Sequence, residues 1–227
     1  MNRLLEVCVA DQHSIYAAAL GGAHRIELCS ALEADGLTPS QGLIRYARRF
    51  PSLRLHVLIR PRTGDFIYNG DELEIMRSDI LSAKRLGADG VVIGALTREG
   101  DIDVDACREL IKAAGNIDVT FHRAFDHCRA PRQALEQIIA LGCSRLLTSG
   151  QAATAEEGIP LLRQLVEQAA GRIIIMPGAG VTPAGARRIL DATGATEIHG
   201  SLRSSHSVAG RLATDPMYVE AVVRNIR

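Results

Sequence analysis

Short runs of β-branched and other apolar residues alternate with longer amphipathic stretches along the chain, and this alternation constrains the fold more than any other feature. Several of the runs share one pattern, in which a glycine, a short turn and a strand follow one another: GAHRIEL, GADGVVI, GCSRLLT and GATEIHG. Strands that alternate with helices form parallel β-α-β units. Eight such units in 227 residues predict an α/β protein with a TIM-type (β/α)8 barrel.

The predicted strands are LLEVCV, RIELC, LHVLIR, GVVIGA, VTFHRA, RLLTSG, RIIIMPG and TEIHGS. Helix starts are predicted at capping threonines followed by proline, namely Thr38, Thr182 and Thr214, and helix ends at glycines such as Gly194. No Pro/Gly/Ser-rich linker divides the chain, so we expect a single barrel domain over residues 1–227. A doubly wound open sheet is the alternative, but its glycine fingerprint after the first strand is missing.

The composition argues against several classes of function. A formal net charge of zero and the absence of tryptophan argue against a nucleic-acid partner. No apolar run approaches the roughly 20 residues that cross a bilayer, and the first residues become polar too early for a secretory signal. We therefore expect a cytoplasmic protein without a membrane partner. Five cysteines without C-x-x-C spacing argue against a disulfide framework and against a structural zinc site, and no organic cofactor is evident.

The predicted strands carry apolar residues on one face and polar residues on the other. In the first strand, for example, Leu5 and Val7 alternate with Glu6 and Cys8. The helices around a barrel need an apolar partner, so the polar face is predicted to point inward. The inward set is Glu6, Glu27, His56, Arg60, His122, His199 and Ser201. Buried charges are costly unless paired or solvated, so this set predicts a wet functional cavity at the rim where the strands end.

A series of motifs follows in a specific order and spacing: LEVC, RIELCS, GLTPS, HVLIRPRTGDF, TFHRAFD, LTSG, IIIMPGAGV and IHGS. Together they resemble the CutC family from about Leu5 to about Ser201. The resemblance implies a TIM-type barrel, a cytoplasmic location, a homo-oligomer that is often a dimer, and copper homeostasis through cysteines that fall on Cys8 and Cys29. The rim motifs of the family fall on Arg60, Arg62, Asp65, His122, Arg123 and Asp126. Two features depart from the family pattern: Asp35-Gly36 stands in place of Gly-Gly, and the tail after Ser201 diverges.

Two cysteines make a copper site plausible on chemical grounds. Cys8 and Cys29 share the inward phase of neighbouring predicted strands, and such strands lie about 4.8 Å apart. Soft Cu(I) prefers thiolate ligands. The competing interpretation is that both are inert core residues, because free cysteine is among the most buried residue types.

The same cavity supports an enzymatic alternative. Confined carboxylates and histidines exchange protons near neutral pH, and Glu27 and His122 are the candidate base and acid, with Glu6 and Arg60 beside them. Glycine-rich loops after the seventh and eighth strands are typical of phosphate binding in barrels, which predicts a small anionic metabolite, with phosphorylated compounds among the candidates. The candidate binding residues are His56, Arg62, Asp65, Arg123, Asp126, Gly178, Gly180, His199 and Ser201.

A structural interpretation of the same charges is a buried salt-bridge network that joins Glu27 to Arg25 or Arg60. From the sequence, copper homeostasis with Cu(I) binding is the leading hypothesis, and whether the chain is an enzyme stays open.

Overall fold

The computed structural model describes residues 3–208 and 211–227. Within this part, eight parallel strands alternate with helices, and each strand pairs with its neighbour in the order β7-β6-β5-β4-β3-β2-β1-β8. The strands are β1 Leu4–Val9, β2 Arg25–Leu28, β3 Arg54–Leu58, β4 Gly90–Ile93, β5 Asp118–Phe121, β6 Arg145–Thr148, β7 Ile174–Pro177 and β8 Glu197–Gly200. Strand β7 lies beside β8, which brings the two ends of the sheet together. The predicted (β/α)8 barrel is confirmed.

Helices surround the sheet on the outside. They are α1 Gln12–Leu20, α2 Gln41–Ala47, α3 Gly70–Arg85, α4 Val104–Ala114, α5 Pro131–Ala140, α6 Ile159–Ala169, α7 Ala186–Thr193 and α8 Pro216–Ile226. Two short 3₁₀ helices, Leu32–Ala34 and Arg123–His127, follow β2 and β5. An antiparallel hairpin of β9 Arg203–Val208 and β10 Arg211–Thr214 lies between β8 and α8.

The outer face of the barrel is the main hydrophobic core. Leu5 and Val7 of β1 and Phe121 of β5 are completely buried in one cluster with the inner faces of the helices. This confirms the prediction that the apolar phase of each strand packs outward. Burying a leucine, valine or phenylalanine side chain stabilises the fold by about 1.5–3 kcal/mol. The packing of these side chains against the helices therefore determines which strand face points to the barrel axis.

The helix starts lie beyond the predicted capping threonines. Ser40 caps α2 by accepting a hydrogen bond from the Leu43 amide, and Asp215 caps α8 through the Met217 amide. Thr38 instead exchanges hydrogen bonds with the backbone of Arg60, at 2.9 and 3.2 Å, and so joins the β2–α2 loop to the end of β3. The predicted caps at Thr38 and Thr214 were wrong, because these hydroxyls bond to other segments of backbone. Thr182 does accept a hydrogen bond from the Gly185 amide at 3.1 Å, in the turn that precedes α7.

Candidate functional site

The polar side chains predicted to face inward are enclosed by the barrel. The buried members are Glu6, Glu27, His56, Arg60, His122 and His199. Arg60 and His122 lie in the wall of a cavity, and the other four belong to two groups along the barrel axis. A charged network lies near the amino ends of the strands, and a cluster of thiol, carboxyl and imidazole groups lies nearer the carboxyl ends.

The charged network is built around two buried arginines. Arg25 forms ion pairs with Glu6 and with Glu197. Arg145 extends the network, with its Nε 2.9 Å from Glu197 and its Nη1 2.7 Å from Asp118. Because the carboxylates neutralise both guanidinium groups, the network is a structural base for the site above it. The predicted pairing of Glu27 with Arg25 or Arg60 was wrong, since Arg25 binds these other carboxylates and Arg60 binds backbone carbonyls.

His56 lies within this lower layer and does not line the cavity above it. Burial lowers the pKa of His56 to about 4, so the imidazole is neutral at physiological pH. Its ring nitrogens are 3.9 Å from Glu6 and 3.8 Å from Asp118, and neither nitrogen has a hydrogen-bond partner in the described chain. Gly90 leaves room for the ring, because a Cβ at that position would lie 2.7 Å from Nε2.

The charged network makes the free energy of unfolding depend on pH in the acid range. Burial raises the pKa of Glu6, but Arg25, with His199 and His56, outweighs burial and holds that pKa far below its ordinary value of 4.5. The stabilising contribution of Glu6 is therefore complete above pH 4.5 and is lost as the pH falls toward the folded pKa. We expect the free energy of unfolding to fall by about 1.4 kcal/mol per pH unit for this group.

Urea unfolding between pH 5 and pH 3 measures this effect, with Glu6→Gln as the comparison. The wild-type slope below pH 4.5 should exceed the slope of Glu6→Gln, because only the wild type loses this ionised carboxylate. Equal slopes would show that the charge of Glu6 does not contribute to stability in this range.

A second cluster lies higher in the barrel, where Cys8, Glu27 and His199 come together. One donor atom from each of these three residues lies within 4.8 Å of the other two. The strand register explains the approach, because Cys8 pairs directly with Glu27 and β8 carries His199 on the other side of β1. Cys29 adds a second thiol, with its Sγ 3.7 Å from the Sγ of Cys8. The predicted meeting of the two cysteines is therefore observed, within a larger donor set.

The charges in this cluster depend on one another. The hydrogen bond to Cys29, together with burial and the nearby Glu27, raises the pKa of the Cys8 thiol well above its ordinary value. Burial lowers the pKa of His199, but a 2.8 Å hydrogen bond to Glu6 and the charge of Glu27 reverse the effect, and the pKa is raised overall. Burial also raises the pKa of Glu27. Both shifts extend the pH range over which Cys8 and His199 hold their protons, because each pKa is raised above its ordinary value.

A cavity of about 560 Å³ opens above the cluster at the carboxyl ends of the strands. Cys8, Glu27 and His199 form its floor, and its walls come from loops that follow several strands. The wall residues include Arg60, Phe66, His122, Arg123, His127, Gly180, Ser201 and Arg203. The predicted rim cavity therefore exists, and its volume is in the range of small-molecule sites.

Two predicted binding residues on the third loop are occupied by local ion pairs. Arg62 contacts Glu72 at 2.5 Å and Asp65 at 3.0 Å, and it also donates to the carbonyl of Ile67. Neither Arg62 nor Asp65 lines the cavity. Their contacts organise the loop that carries Phe66 to the cavity wall, so the structure gives them a positioning role.

Asp126 binds the loop after β6, whereas Arg123 lines the cavity. Asp126 accepts hydrogen bonds from the hydroxyls of Thr148 and Ser149 and from the Gln151 amide. It also binds Arg123 Nε at 2.8 Å, while Arg123 lines the cavity. Asp126 therefore holds the β6 loop in place and anchors one cavity arginine.

The predicted glycines serve two purposes on the β7 side. Gly178 packs against the site, since a Cβ there would lie 2.6 Å from Leu147 and 3.3 Å from His199. Gly180 has a φ of 67°, which favours glycine, and it lines the cavity together with Ser201. Asp35 and Gly36, which stand in place of the Gly-Gly of the family pattern, also lie at the site. Asp35 lines the cavity, and Gly36 lies beside Cys29.

Sequence reasoning missed the partners that complete both groups. Glu197 and Arg145 of the charged network, and Phe66 and His127 of the cavity wall, were not predicted as site residues. A signal for Glu197 was present, because it shares a strand phase with His199. Phe66 and His127 lie in loops, whose direction strand periodicity does not predict.

Comparison with known proteins agrees with the observed fold. The sequence model of the CutC family matches residues 3–204. The chain belongs to the CutC family. A family protein CutC from Bacteroides thetaiotaomicron is 54% identical over 201 residues, which cover 88% of this chain and 81% of that protein. The human copper homeostasis protein cutC homolog is 49% identical over 202 residues, covering 89% of this chain and 74% of that protein.

A solved structure of the CutC protein from Streptococcus agalactiae superimposes with a TM-score of 0.84 at 36% identity. The match covers 88% of this chain and 98% of that chain. Cys8, Cys29, Glu27 and His199 all lie within the part of this chain that the CutC sequence model matches. Helix α8 and strand β10 lie beyond that part.

Proposed function

We propose that this CutC family member takes part in copper homeostasis by binding one Cu(I) ion between Cys8 and Cys29, with His199 as a further ligand. The observation that carries the proposal is the position of the buried Cys8 thiol. Its Sγ lies 3.7 Å from the Sγ of Cys29, and it also shares a group with His199 and Glu27 whose donor atoms lie within 4.8 Å of one another. Thiolates and imidazoles are ligands that suit copper, and Cu(I) requires few of them. The name of the human relative supports the same role.

The surroundings of the cysteines suit a soft cation. Cys8 and Cys29 pack against Leu58 and Val92, so two sides of the proposed site are apolar. A thiol must lose its proton to bind a metal, and Glu27 lies beside Cys8 with a raised pKa, where it can accept that proton. The positive charge of Cu(I) would then offset part of the negative charge of the two thiolates. His199 would bind as a neutral imidazole, and the displaced protons would leave to solvent.

An anaerobic competition titration against a chromophoric Cu(I) chelator tests the proposal. We expect the purified protein to withdraw one equivalent of Cu(I) per chain from the chelator. Zn²⁺ at the same concentration is the control, and it should not displace the bound Cu(I). Failure to withdraw Cu(I) from even a weak chelator would contradict copper binding and would favour inert core cysteines.

A cytoplasmic location is part of the proposal. The support is the five cysteines, all of which are free thiols in the structure, as a reducing compartment keeps them. Among the described helices, none has both the length and the apolar character that crossing a bilayer requires. Immunoblotting of cell fractions for the native protein would test the location.

The homo-oligomer stays a prediction. Tyr16 and Leu20 on α1 and Met217 and Tyr218 on α8 are exposed large hydrophobic residues on two helices that pack together. Light scattering coupled to size-exclusion chromatography measures the oligomeric state directly.

A further inference from the structure

The cavity is much larger than one metal ion requires, and one of its walls carries a buried positive charge. Arg60 is only 4% exposed. Its Nη atoms donate hydrogen bonds to the carbonyls of Ala34, Gly36 and Gly64, at 3.2, 3.2 and 2.8 Å. Within residues 3–208 and 211–227 no carboxylate forms an ion pair with Arg60, and its Nε has no hydrogen-bond partner. Carbonyl oxygens satisfy hydrogen bonds but do not neutralise a cation, so the guanidinium lacks a counter-charge.

His122 offers a second unused donor on the same wall. Its Nδ1 accepts a hydrogen bond from the Ala124 amide at 3.2 Å, which assigns the proton of the neutral ring to Nε2. Burial, with the nearby Arg60, lowers the pKa of His122 to about 3, so the ring stays neutral at physiological pH. Nε2 has no partner in the described chain. Phe66 holds both groups together, with its ring 5.0 Å from the His122 ring and 4.9 Å from the guanidinium carbon of Arg60.

The other groups of the cavity set its electrostatic balance. Arg203 lines the opening as an exposed cation, whereas Arg123 is neutralised in part by Asp126. The acids of the lining are Glu27, which faces His199 on the floor, and Asp35, which is exposed on the rim. Arg60 bonds to the carbonyls on either side of Asp35 but forms no ion pair with any carboxylate of the described residues. The Arg60 wall therefore combines donors that lack partners with a positive charge that no ion pair neutralises.

We propose that the cavity binds a small organic molecule with an oxyanion group, a carboxylate or a phosphate ester, and that this group binds at Arg60 and His122. The rest of the molecule extends toward the β7 and β8 loops, where Gly180 and Ser201 line the opposite wall. A charge-assisted hydrogen bond to Arg60 would supply the missing counter-charge, and His122 would donate from Nε2. This oxyanion site shares the cavity with the copper site but uses different groups, because the oxyanion binds at Arg60 and His122 and the copper at Cys8 and Cys29.

Calorimetric titration of metal-free protein tests the proposal with defined probes. Inorganic phosphate and ribose 5-phosphate represent the phosphate source, citrate represents the carboxylate source, and ribose is the uncharged control. We expect at least one charged probe to bind and ribose not to bind. These titrations use metal-free protein and the chelator competition contains none of these probes, so failure of the copper proposal and failure of this one remain distinguishable.

Three variants locate the site. Arg60→Met removes the charge and keeps the length of the side chain, and it should weaken binding about tenfold or more. His122→Asn keeps an acceptor for the Ala124 amide and removes the Nε2 donor, so it decides the question if Arg60→Met fails to fold. Arg224→Gln, an exposed arginine on α8, is the matched control and should bind like the wild type. Absence of binding by every charged probe, or binding that Arg60→Met and His122→Asn leave unchanged, would overturn the proposal.

Discussion

Replacing Cys8 and Cys29 together with serine should abolish Cu(I) binding in the chelator competition. The two Sγ atoms are 3.7 Å apart and provide the soft donors of the proposed site, and a hydroxyl is a poor ligand for Cu(I). Each single replacement should leave one thiol with His199 and weaken the binding of Cu(I) by at least tenfold. Serine is close to cysteine in size, so the barrel should keep its fold, which circular dichroism checks.

The matched control for this experiment is the pair Cys107→Ser and Cys143→Ser. Both cysteines are buried outside the barrel interior, where burial raises the pKa of each thiol to about 12. These replacements carry the same chemical change and should leave the affinity for Cu(I) unaltered. Should the Cys8→Ser and Cys29→Ser double variant bind Cu(I) as tightly as the control, the copper site would lie elsewhere or would not exist.

Arg25→Met should lower the free energy of unfolding by about 3–5 kcal/mol. The replacement keeps most of the side-chain volume but leaves Glu6 and Glu197 buried without the cation between them. Removing one partner from a buried ion pair costs more than the pair contributes, because the remaining charges lose their compensation. Urea unfolding at pH 7, monitored by circular dichroism, measures the change.

Arg77→Met provides the comparison for that measurement. Arg77 pairs with Glu74 on the exposed surface of α3, so its replacement should leave the unfolding midpoint close to the wild-type value. If Arg25→Met and Arg77→Met unfold at the same urea concentration, the ion pairs of Arg25 do not stabilise the barrel.

Strand periodicity was sufficient to predict the barrel and the direction of its side chains. Leu5 and Val7 pack outward while Glu6 and Cys8 point inward, because alternation along a strand is a local property of the sequence. The helix starts were less predictable. Thr38 has the local pattern of a cap but bonds to Arg60, a residue 22 positions away, and such a partner is not visible in a local pattern.

The partners within the barrel depend on the register between strands, which periodicity does not provide. The alternation places Glu27 inward, but only the pairing of Cys8 with Glu27 brings it beside a thiol and away from Arg25. Loop residues show the same limit. Asp126 and Arg62 were predicted from motifs, yet their contacts to Thr148 and Glu72 follow from how the loops fold back.

Copper binding inside the barrel is best tested by anomalous diffraction at the copper absorption edge, from crystals loaded with Cu(I). We expect one dominant peak inside the barrel, between the Sγ atoms of Cys8 and Cys29 and within bonding distance of the His199 ring. A dominant peak outside the barrel, or no peak inside it in protein shown to carry copper, would rule out this copper site.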